Sequence, residues 1–243
     1  MSFTTRGHRG GDHVVITPAN RYRSRIAHLP EAEAFKLVSP RLQPAAFAQT
    51  LLRVSGDPVV SERWPDDPQH FVYVLAGETT WQLDREMSNL GPGGFFYAPP
   101  GIPVRLAAAH DAEILHIARR RVSDARLAPA LLVGHRADRH GEPAGVPGLE
   151  RTELLPASDP AFDFAIAIMS FEPHAALGQV EIHDEEHGLY MLSGDGRYLL
   201  GDSALDVRAG DFIYMAPYCP QSFVAGDGGA SYLLYKDAWR ESM

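Results

Sequence analysis

The chain has 243 residues, of which 45% are hydrophobic and 22% are charged, and its formal net charge is −9. This composition is typical of a soluble globular protein with enough residues for one large all-β domain or two smaller ones. The acidic balance excludes the basic face that nucleic-acid binding needs, and no apolar stretch is long enough to span a membrane. A single cysteine, Cys219, rules out an internal disulfide, and the first residues lack the apolar run of a signal peptide, so a cytoplasmic location is expected.

Short β-rich runs recur along the chain. Gly, Pro and other turn residues separate them at intervals of roughly 8 to 12 residues, which is the pattern of a β-sandwich or barrel. In chain order the runs are AFAQTLLRVS (46–55), HFVYVLAGETTWQL (70–83), GGFFYAPPGIPV (93–104), AEILHIAR (112–119), FAIAIMSFEP (164–173), HGLYMLSGDGRYLL (187–200), AGDFIYMAP (209–217) and ASYLLYK (230–236). No long segment keeps a helical period, so the fold is predicted to be all-β.

An internal repeat divides the chain. HFVYVLAG aligns with HGLYMLSG, and GGFFYAPPGIPV aligns with GDFIYMAPYCPQ, both at a constant offset of 117 positions (187 minus 70, and 210 minus 93). A constant register over both pairs indicates duplication of one unit. Residues 1–130 are therefore predicted to form one domain and residues 131–243 the other. The Gly- and Pro-containing segment 121–150 is predicted to cross between them, with one strand of its own at 130–134.

The stretch EIHDEEHGLYMLSGDG (181–196) carries the chemistry of the second copy. On an extended segment Glu181, His183 and His187 have the same parity, so a carboxylate and two imidazoles can face one side. Such a set suits a metal ion, and Gln221, after the next strand, can add a fourth ligand. Glu185 shares the same parity, and the stretch taken alone is equally compatible with a solvated acidic turn.

The spacing resembles the cupin signature, in which H-x-H is followed by a glutamate and then by a glycine, with a proline before a last downstream ligand. Here Glu181, His183, His187 and Gly194 fill these positions, and Gln221 fills the last. The order is swapped, because glutamate replaces the first histidine, histidine replaces the glutamate, and glutamine replaces the final histidine. The resemblance implies a bicupin, with two tandem β-sandwich jelly-roll barrels related by the internal repeat.

The swapped order, together with the segments AGDFIYMAPYCPQ (209–221) and YLLYKD (232–237), resembles the (S)-ureidoglycine aminohydrolase family of purine catabolism. The resemblance covers nearly the whole chain and is strongest from 181 to 237. AHLPEAEAF (27–35) replaces a tryptophan-containing stretch expected near the N-terminus. The resemblance implies a manganese ion in the C-terminal barrel. Donor chemistry alone would equally admit Fe(II) or Zn(II). The implied metal ligands are Glu181, His183, His187 and Gln221.

The same resemblance implies the substrate contacts. They are Glu181, Tyr198, Gln221, Tyr232 and Lys236, of which Glu181 and Lys236 are the predicted catalytic residues. Tyr235 is the neighbouring alternative to Tyr232, but its parity puts it on the opposite face. The expected partner is a small ureido acid, and the implied reaction is hydrolysis of (S)-ureidoglycine to (S)-ureidoglycolate and ammonia. Glu181 or a water on the metal could supply the proton to the leaving amine.

The first copy is an internal control for this assignment. At the offset of 117, Glu181, His183, His187 and Gln221 correspond to Trp64, Asp66, His70 and Val104. Few donors remain, so the first barrel is expected to be structural and free of metal. The alternative functions are a metal-dependent bicupin isomerase or dioxygenase acting on another small carboxylic acid, and a storage or sensing cupin. The family resemblance also implies a homo-oligomer.

Overall fold

The computed structural model describes residues 6–56, 59–122 and 129–238. Within these ranges the chain consists of antiparallel strands and two short 3-10 helices, Pro18–Asn20 and Arg136–Asp138, without an α-helix. No helix in the described part of the chain has the length and apolar character needed to cross a membrane. The all-β prediction is confirmed, and the strands form two separate antiparallel sheets.

Two compact units are present. The first unit is Tyr22–Asp138, and the second unit combines Met1–Arg21 with Arg139–Met243. The sheet of the first unit has the order β10-β8-β6-β9-β5-β4-β3, and β7 pairs with β6. Its strands are β3 (Arg23–Ser24), β4 (Glu33–Val38), β5 (Phe47–Val54), β6 (Pro68–Leu83), β7 (Glu86–Leu90), β8 (Gly94–Ala98), β9 (Val104–Arg120) and β10 (Leu132–His135).

The second unit has the same connectivity between its main strands. Its sheet has the order β1-β2-β16-β14-β17-β13-β12-β11, and β15 pairs with β14. The strands are β1 (His8–Arg9), β2 (His13–Ile16), β11 (Gly141–Pro143), β12 (Leu149–Leu155), β13 (Phe164–Phe171), β14 (His187–Leu200), β15 (Ser203–Arg208), β16 (Phe212–Met215) and β17 (Gln221–Asp237).

The sequence offset reappears in the strand register. In the first unit His70 is opposite Ala98 on the β6–β8 pair, and in the second unit His187 is opposite Met215 on the β14–β16 pair. Both members of the second pair lie 117 positions after their counterparts (187 minus 70, and 215 minus 98). Because register determines which side chains face the core, the two units present equivalent positions inward.

Toward one edge of each sheet lies a strand from the segment that precedes the other copy in sequence. Strand β2, near the N-terminus, pairs with β16 of the second unit, whereas β10, in the predicted crossing segment, pairs with β8 of the first. The predicted boundary at residue 130 assigned both strands to the other copy. The compact units instead divide after Arg21 and after Asp138.

Each unit has its own apolar core. The core of the first unit is rich in large aromatic side chains, including Trp64, Trp81 and Phe96. The core of the second unit contains Met191, Phe223 and the two tyrosines Tyr198 and Tyr232, together with Cys219. Two phenol groups and a thiol therefore lie within the apolar packing of the second unit, which positions them near the predicted site.

Gly77 and Gly194, the glycines that end the two repeated runs, are required by close backbone contacts. Both have positive φ, +74° and +69°, which L-residues rarely adopt. A Cβ at Gly77 would lie 2.3 Å from the carbonyl oxygen of Asp111, and one at Gly194 would lie 2.0 Å from that of Gly229. The glycines let the long strands β6 and β14 bend against β9 and β17, where the pairing register shifts.

Candidate metal and substrate site

The first and last predicted ligands are joined through the backbone. The N–H of Glu181 donates to the carbonyl of Gln221 at 2.8 Å, and the N–H of Gln221 donates to the carbonyl of Glu181 at 2.9 Å. This isolated antiparallel bridge makes the two residues directly opposite neighbours. Directly opposite residues project to the same face, so the Glu181 carboxylate and the Gln221 amide are side by side.

The two predicted histidine ligands lie close to this bridge. His183 Nε2 is 3.2 Å from a carboxylate oxygen of Glu181, and the rings of His183 and His187 have centroids 5.3 Å apart. The segment is tied to the turn before Gln221, because the N–H of Tyr218 donates to the carbonyl of His183 at 2.6 Å. Tyr218 adopts a φ of +63°, which is uncommon for a residue other than glycine.

His187 is held in its neutral form. It begins β14 and is buried, and burial lowers the pKa of its imidazole to about 3, with further lowering from the charges of Lys236 and His183. A neutral imidazole has a free lone pair, which is the form in which histidine binds a metal. The ring is thus prepared to coordinate a cation and resists protonation at physiological pH.

Two buried tyrosines adjoin Gln221. The Tyr198 hydroxyl donates to the Gln221 side-chain oxygen at 3.3 Å, and Tyr198 and Tyr232 also hydrogen-bond each other. Burial raises the pKa of both phenols, and the Glu181 carboxylate adds to this effect. Both groups therefore remain protonated and can act as hydrogen-bond donors to a ligand.

Lys236 lies on the same face of β17 as Tyr232. It is paired in register with His187 of β14, and its ammonium is 3.1 Å from a carboxylate oxygen of Glu185. Tyr235, the alternative to Tyr232, is fully buried and packs against Phe164, with ring centroids 5.3 Å apart. Strand alternation accounts for the difference, since Tyr235 belongs to the opposite face.

The structure thus brings the seven predicted site residues into one region of the second unit. They are Glu181, His183, His187, Tyr198, Gln221, Tyr232 and Lys236. Their donors are oxygen and nitrogen atoms, and the set fits a divalent cation of borderline hardness. The two phenols adjoin the bridge through the hydrogen bond of Tyr198 to Gln221, and Lys236 adjoins the start of β14 through its pairing with His187.

The equivalent position of the first unit has different chemistry. The N–H of Trp64 donates to the carbonyl of Val104 at 2.9 Å, which matches one of the two hydrogen bonds between Glu181 and Gln221. The indole of Trp64 is buried and its centroid lies 4.4 Å from that of His116. His70 is hydrogen-bonded to the carbonyl of Pro65 and, at 3.0 Å, to His116. Aromatic packing occupies the position of the ligands.

Sequence reasoning missed a second polar cluster in the second unit. Among the described residues, one trio of His, Cys and carboxylate ligand atoms lies mutually within 4.8 Å, and it consists of Asp12, His13 and Cys219. The ligand atoms of the predicted trio 181, 183 and 187 are spread more widely. Burial and the neighbouring Asp12 carboxylate raise the pKa of the Cys219 thiol to about 12. The sequence separation between Asp12 and Cys219 explains why no local motif signalled this cluster.

The fold and the site define the general class. The chain is an all-β protein with a cupin-like fold and a candidate mononuclear metal site in its second unit. Oxalate decarboxylase from Bacillus subtilis, described with Mn(II) centres, aligns with a TM-score of 0.69 over 98% of this chain and 81% of its own, at 14% identity, and this likeness concerns the fold. No family model matches the chain.

Similarity to a curated relative is more specific. The (S)-ureidoglycine aminohydrolase of Escherichia coli (strain K12) is 31% identical over 239 residues, which cover 95% of this chain and 90% of the relative. The crystal structure of protein Ylba from E. coli aligns with a TM-score of 0.84 and 28% identity, covering 97% of this chain and 94% of that protein. The chain belongs to the (S)-ureidoglycine aminohydrolase family, and is accordingly a hydrolase acting on a C–N bond.

Proposed function

We propose that the chain hydrolyses (S)-ureidoglycine to (S)-ureidoglycolate and ammonia in the catabolism of purines through allantoin and allantoate. The observation that carries this proposal is the convergence of a metal-ligand set with two phenols and an ammonium in a member of this family. The substrate bears a carboxylate, an amine and a ureido group on one carbon. Each of these groups has a chemically suited partner among the converging residues.

Lys236 is the proposed partner of the substrate carboxylate. Its ammonium is paired with Glu185 at 3.1 Å, so an anionic substrate would replace one carboxylate by another at this cation. Tyr198 and Tyr232 would donate hydrogen bonds to the ureido oxygen, because both phenols remain protonated. Fixing both ends of a small substrate determines which face of its central carbon is open to attack.

The metal ligands are proposed to be Glu181, His183, His187 and Gln221, and the ion is proposed to be Mn²⁺, with Fe²⁺ or Zn²⁺ as chemically admissible substitutes. The neutral state of His187 and the bridge between Glu181 and Gln221 support this assignment. A divalent cation at these residues would supply Lewis acidity for the hydrolysis.

Glu181 is the proposed proton carrier for the leaving amine. Breaking the C–N bond leaves the electron pair on nitrogen, so ammonia departs only when a proton reaches that nitrogen, while water supplies the new C–O bond. The Glu181 carboxylate is half-buried and 3.2 Å from His183 Nε2, and a positioned carboxyl group of this kind is a common general acid–base catalyst. Lys236 would act alongside it by holding the carboxylate of the substrate during bond breaking.

A two-barrel architecture is part of the proposal. The repeated strand register, and the hydrogen bond from Trp64 to Val104 that matches the one from Glu181 to Gln221, support a bicupin, in which both units descend from one jelly-roll barrel. The first barrel would be structural and metal-free, and the second would contain the site. The cytoplasmic location and the homo-oligomeric state stay predictions from the sequence.

The test is ammonia release from ureidoglycine generated in situ from allantoate, measured against the ammonia from the generating enzyme alone. We expect activity that a chelator abolishes and that Mn²⁺ restores better than Zn²⁺ or Fe²⁺. Tyr232→Phe should reduce turnover, whereas Tyr235→Phe, which removes a buried phenol from the opposite face of the same strand, should not. Absence of ammonia release above the generating enzyme at saturating Mn²⁺ would refute the assignment.

A further inference from the structure

The cluster of Asp12, His13 and Cys219 joins two distant parts of the second unit. Asp12 precedes β2, His13 is the first residue of β2, and Cys219 lies in the turn between β16 and β17. His13 Nδ1 is 2.7 Å from a carboxylate oxygen of Asp12, and the Cys219 thiol donates to the carbonyl of Pro220 at 3.6 Å. The ligand atoms of the three side chains lie within 4.8 Å of one another.

The cluster is buried on one side and open on the other. His13 is 4% exposed and Cys219 is 2% exposed, but the Asp12 side chain is 40% exposed. His13 Nε2 is buried and has no hydrogen-bond partner. The other ring nitrogen, Nδ1, is the one that faces Asp12, so Nδ1 is the nitrogen that this cluster offers to a cation. Access from solvent runs past Asp12.

We propose that Asp12, His13 and Cys219 bind a second divalent cation of the zinc class, separate from the site at 181–187. One sulfur, one nitrogen and one oxygen donor match the preference of Zn²⁺, which forms bonds of about 2.0 to 2.3 Å in tetrahedral geometry. Ligand atoms in such a site lie roughly 3.3 to 3.6 Å apart. The observed spacing of 2.7 Å to at most 4.8 Å needs only small side-chain shifts to reach that geometry.

Binding exchanges a proton for the cation. The ion displaces the thiol proton of Cys219, which passes to solvent, while the imidazole of His13 coordinates through a nitrogen lone pair and keeps its one proton on the other ring nitrogen, and no electron is transferred. Asp12, as the exposed ligand, leaves room for water as the fourth ligand. Thiolate is a soft donor, so this cluster selects Zn²⁺ over Mn²⁺, whereas the oxygen- and nitrogen-only set around Glu181 has no such preference.

The proposed ion would fasten the N-terminal strand to the catalytic region. His13 is paired in register with Met215 of β16, and Cys219 lies two residues before Gln221. A bond from each to one cation would fix the turn that presents Gln221. Its role is therefore positional, and it makes no contact with substrate.

The test is titration of the metal-free full-length chain with Co²⁺ alone, followed by absorption spectroscopy. Because the chain has one cysteine, a sulfur-to-cobalt charge-transfer band can arise only from Cys219. We expect this band in the unmodified chain and in His187→Gln, which disables the other site, and its loss in Cys219→Ser and in His13→Gln. His110→Gln, an exposed histidine, is the control.

Equilibrium dialysis against Zn²⁺ gives an independent measure of the number of ions bound per chain. We expect two ions per unmodified chain and one in each of His187→Gln and Cys219→Ser. Absence of the charge-transfer band from the unmodified chain at saturating Co²⁺ would overturn the proposal without using any variant that could misfold. Because the readout is spectroscopic, that result would leave the proposed hydrolase activity untouched, and a failure of the activity would leave this proposal intact.

Discussion

Acid should destabilise the first unit through His116, and the effect is large enough to measure. His116 is buried beside Trp64, and burial lowers its pKa well below the ordinary value, with further lowering from His70 and His28. A histidine whose pKa is depressed by folding contributes stability above its unfolded pKa. That stability is lost as the pH falls toward the pKa of the folded state, because the unfolded chain binds a proton at this histidine and the folded chain does not.

The magnitude follows from linkage. With a pKa of about 6.5 in the unfolded chain, linkage limits the cost of lowering the pH from about 7 to about 5 to about 2 kcal/mol for one histidine. The strong lowering of the His116 pKa by burial brings the cost toward that limit. We expect His116→Gln to remove this part of the pH dependence. The glutamine amide cannot titrate in this range, and it can still hydrogen-bond His70, which is 3.0 Å from His116 in the unmodified chain.

The assay is urea unfolding at the two pH values, followed by tryptophan fluorescence. Trp64 lies 4.4 Å from His116 and 5.2 Å from Trp81, and both tryptophans belong to the first unit. The third tryptophan of the chain, Trp239, belongs to the second unit, so all variants carry Trp239→Phe and the signal then reports the first unit. His110→Gln is the matched control, because it changes an exposed histidine of the same strand. The quantity compared is the change in unfolding free energy between the two pH values. If His116→Gln loses as much unfolding free energy between the two pH values as the unmodified chain does, the reasoning is refuted.

The remaining predictions concern the second unit. Gln221→Leu should lower the affinity for the catalytic metal at least about tenfold with the fold intact, and unchanged metal content would remove Gln221 from the site. Lys236→Met should raise KM roughly 10- to 100-fold, as expected for loss of a charge-assisted hydrogen bond, and unaltered kinetics would reject its role. Glu185→Gln should lower KM about two- to fivefold, since a partly exposed ion pair at Lys236 is worth about 0.5 to 1 kcal/mol. Asp184→Asn, at an exposed neighbouring position, should leave KM unchanged, and an equal effect of both changes would show that bulk charge is responsible.

Local patterns were sufficient for the repeat and for the main strands. The matching positions of glycines and aromatic residues in the two copies give the offset of 117, and the strand register has the same offset. Parity placed Tyr232 and Lys236 on one face and Tyr235 on the other, because alternation is a strictly local property of a strand. These inferences needed no knowledge of which strands are neighbours.

Long-range pairing set the limits of sequence reasoning. The predicted boundary at residue 130 separates β2 from β16 and β10 from β8, because edge pairing between distant segments leaves no periodic signal. For the same reason the cluster of Asp12, His13 and Cys219 could not be anticipated, since pairing of β2 with β16 creates it. The ion pair between Lys236 and Glu185 likewise depends on side-chain placement that parity does not give.

Comparison of the two units indicates what a site requires beyond its backbone. The hydrogen bond from the N–H of Trp64 to the carbonyl of Val104 is 2.9 Å long, and the one from the N–H of Glu181 to the carbonyl of Gln221 is 2.8 Å long, so this backbone contact is present in both units. In the first unit the indole of Trp64 packs edge-on against Trp81 and adds apolar burial that stabilises the fold. A carboxylate placed in that buried position would lose this packing and would incur the cost of an uncompensated charge. A carboxylate can therefore occupy this position only where a cation compensates its charge and where the neighbouring core stabilises the unit without the indole. In the second unit, the proposed ligands His183 and His187 would hold such a cation beside Glu181.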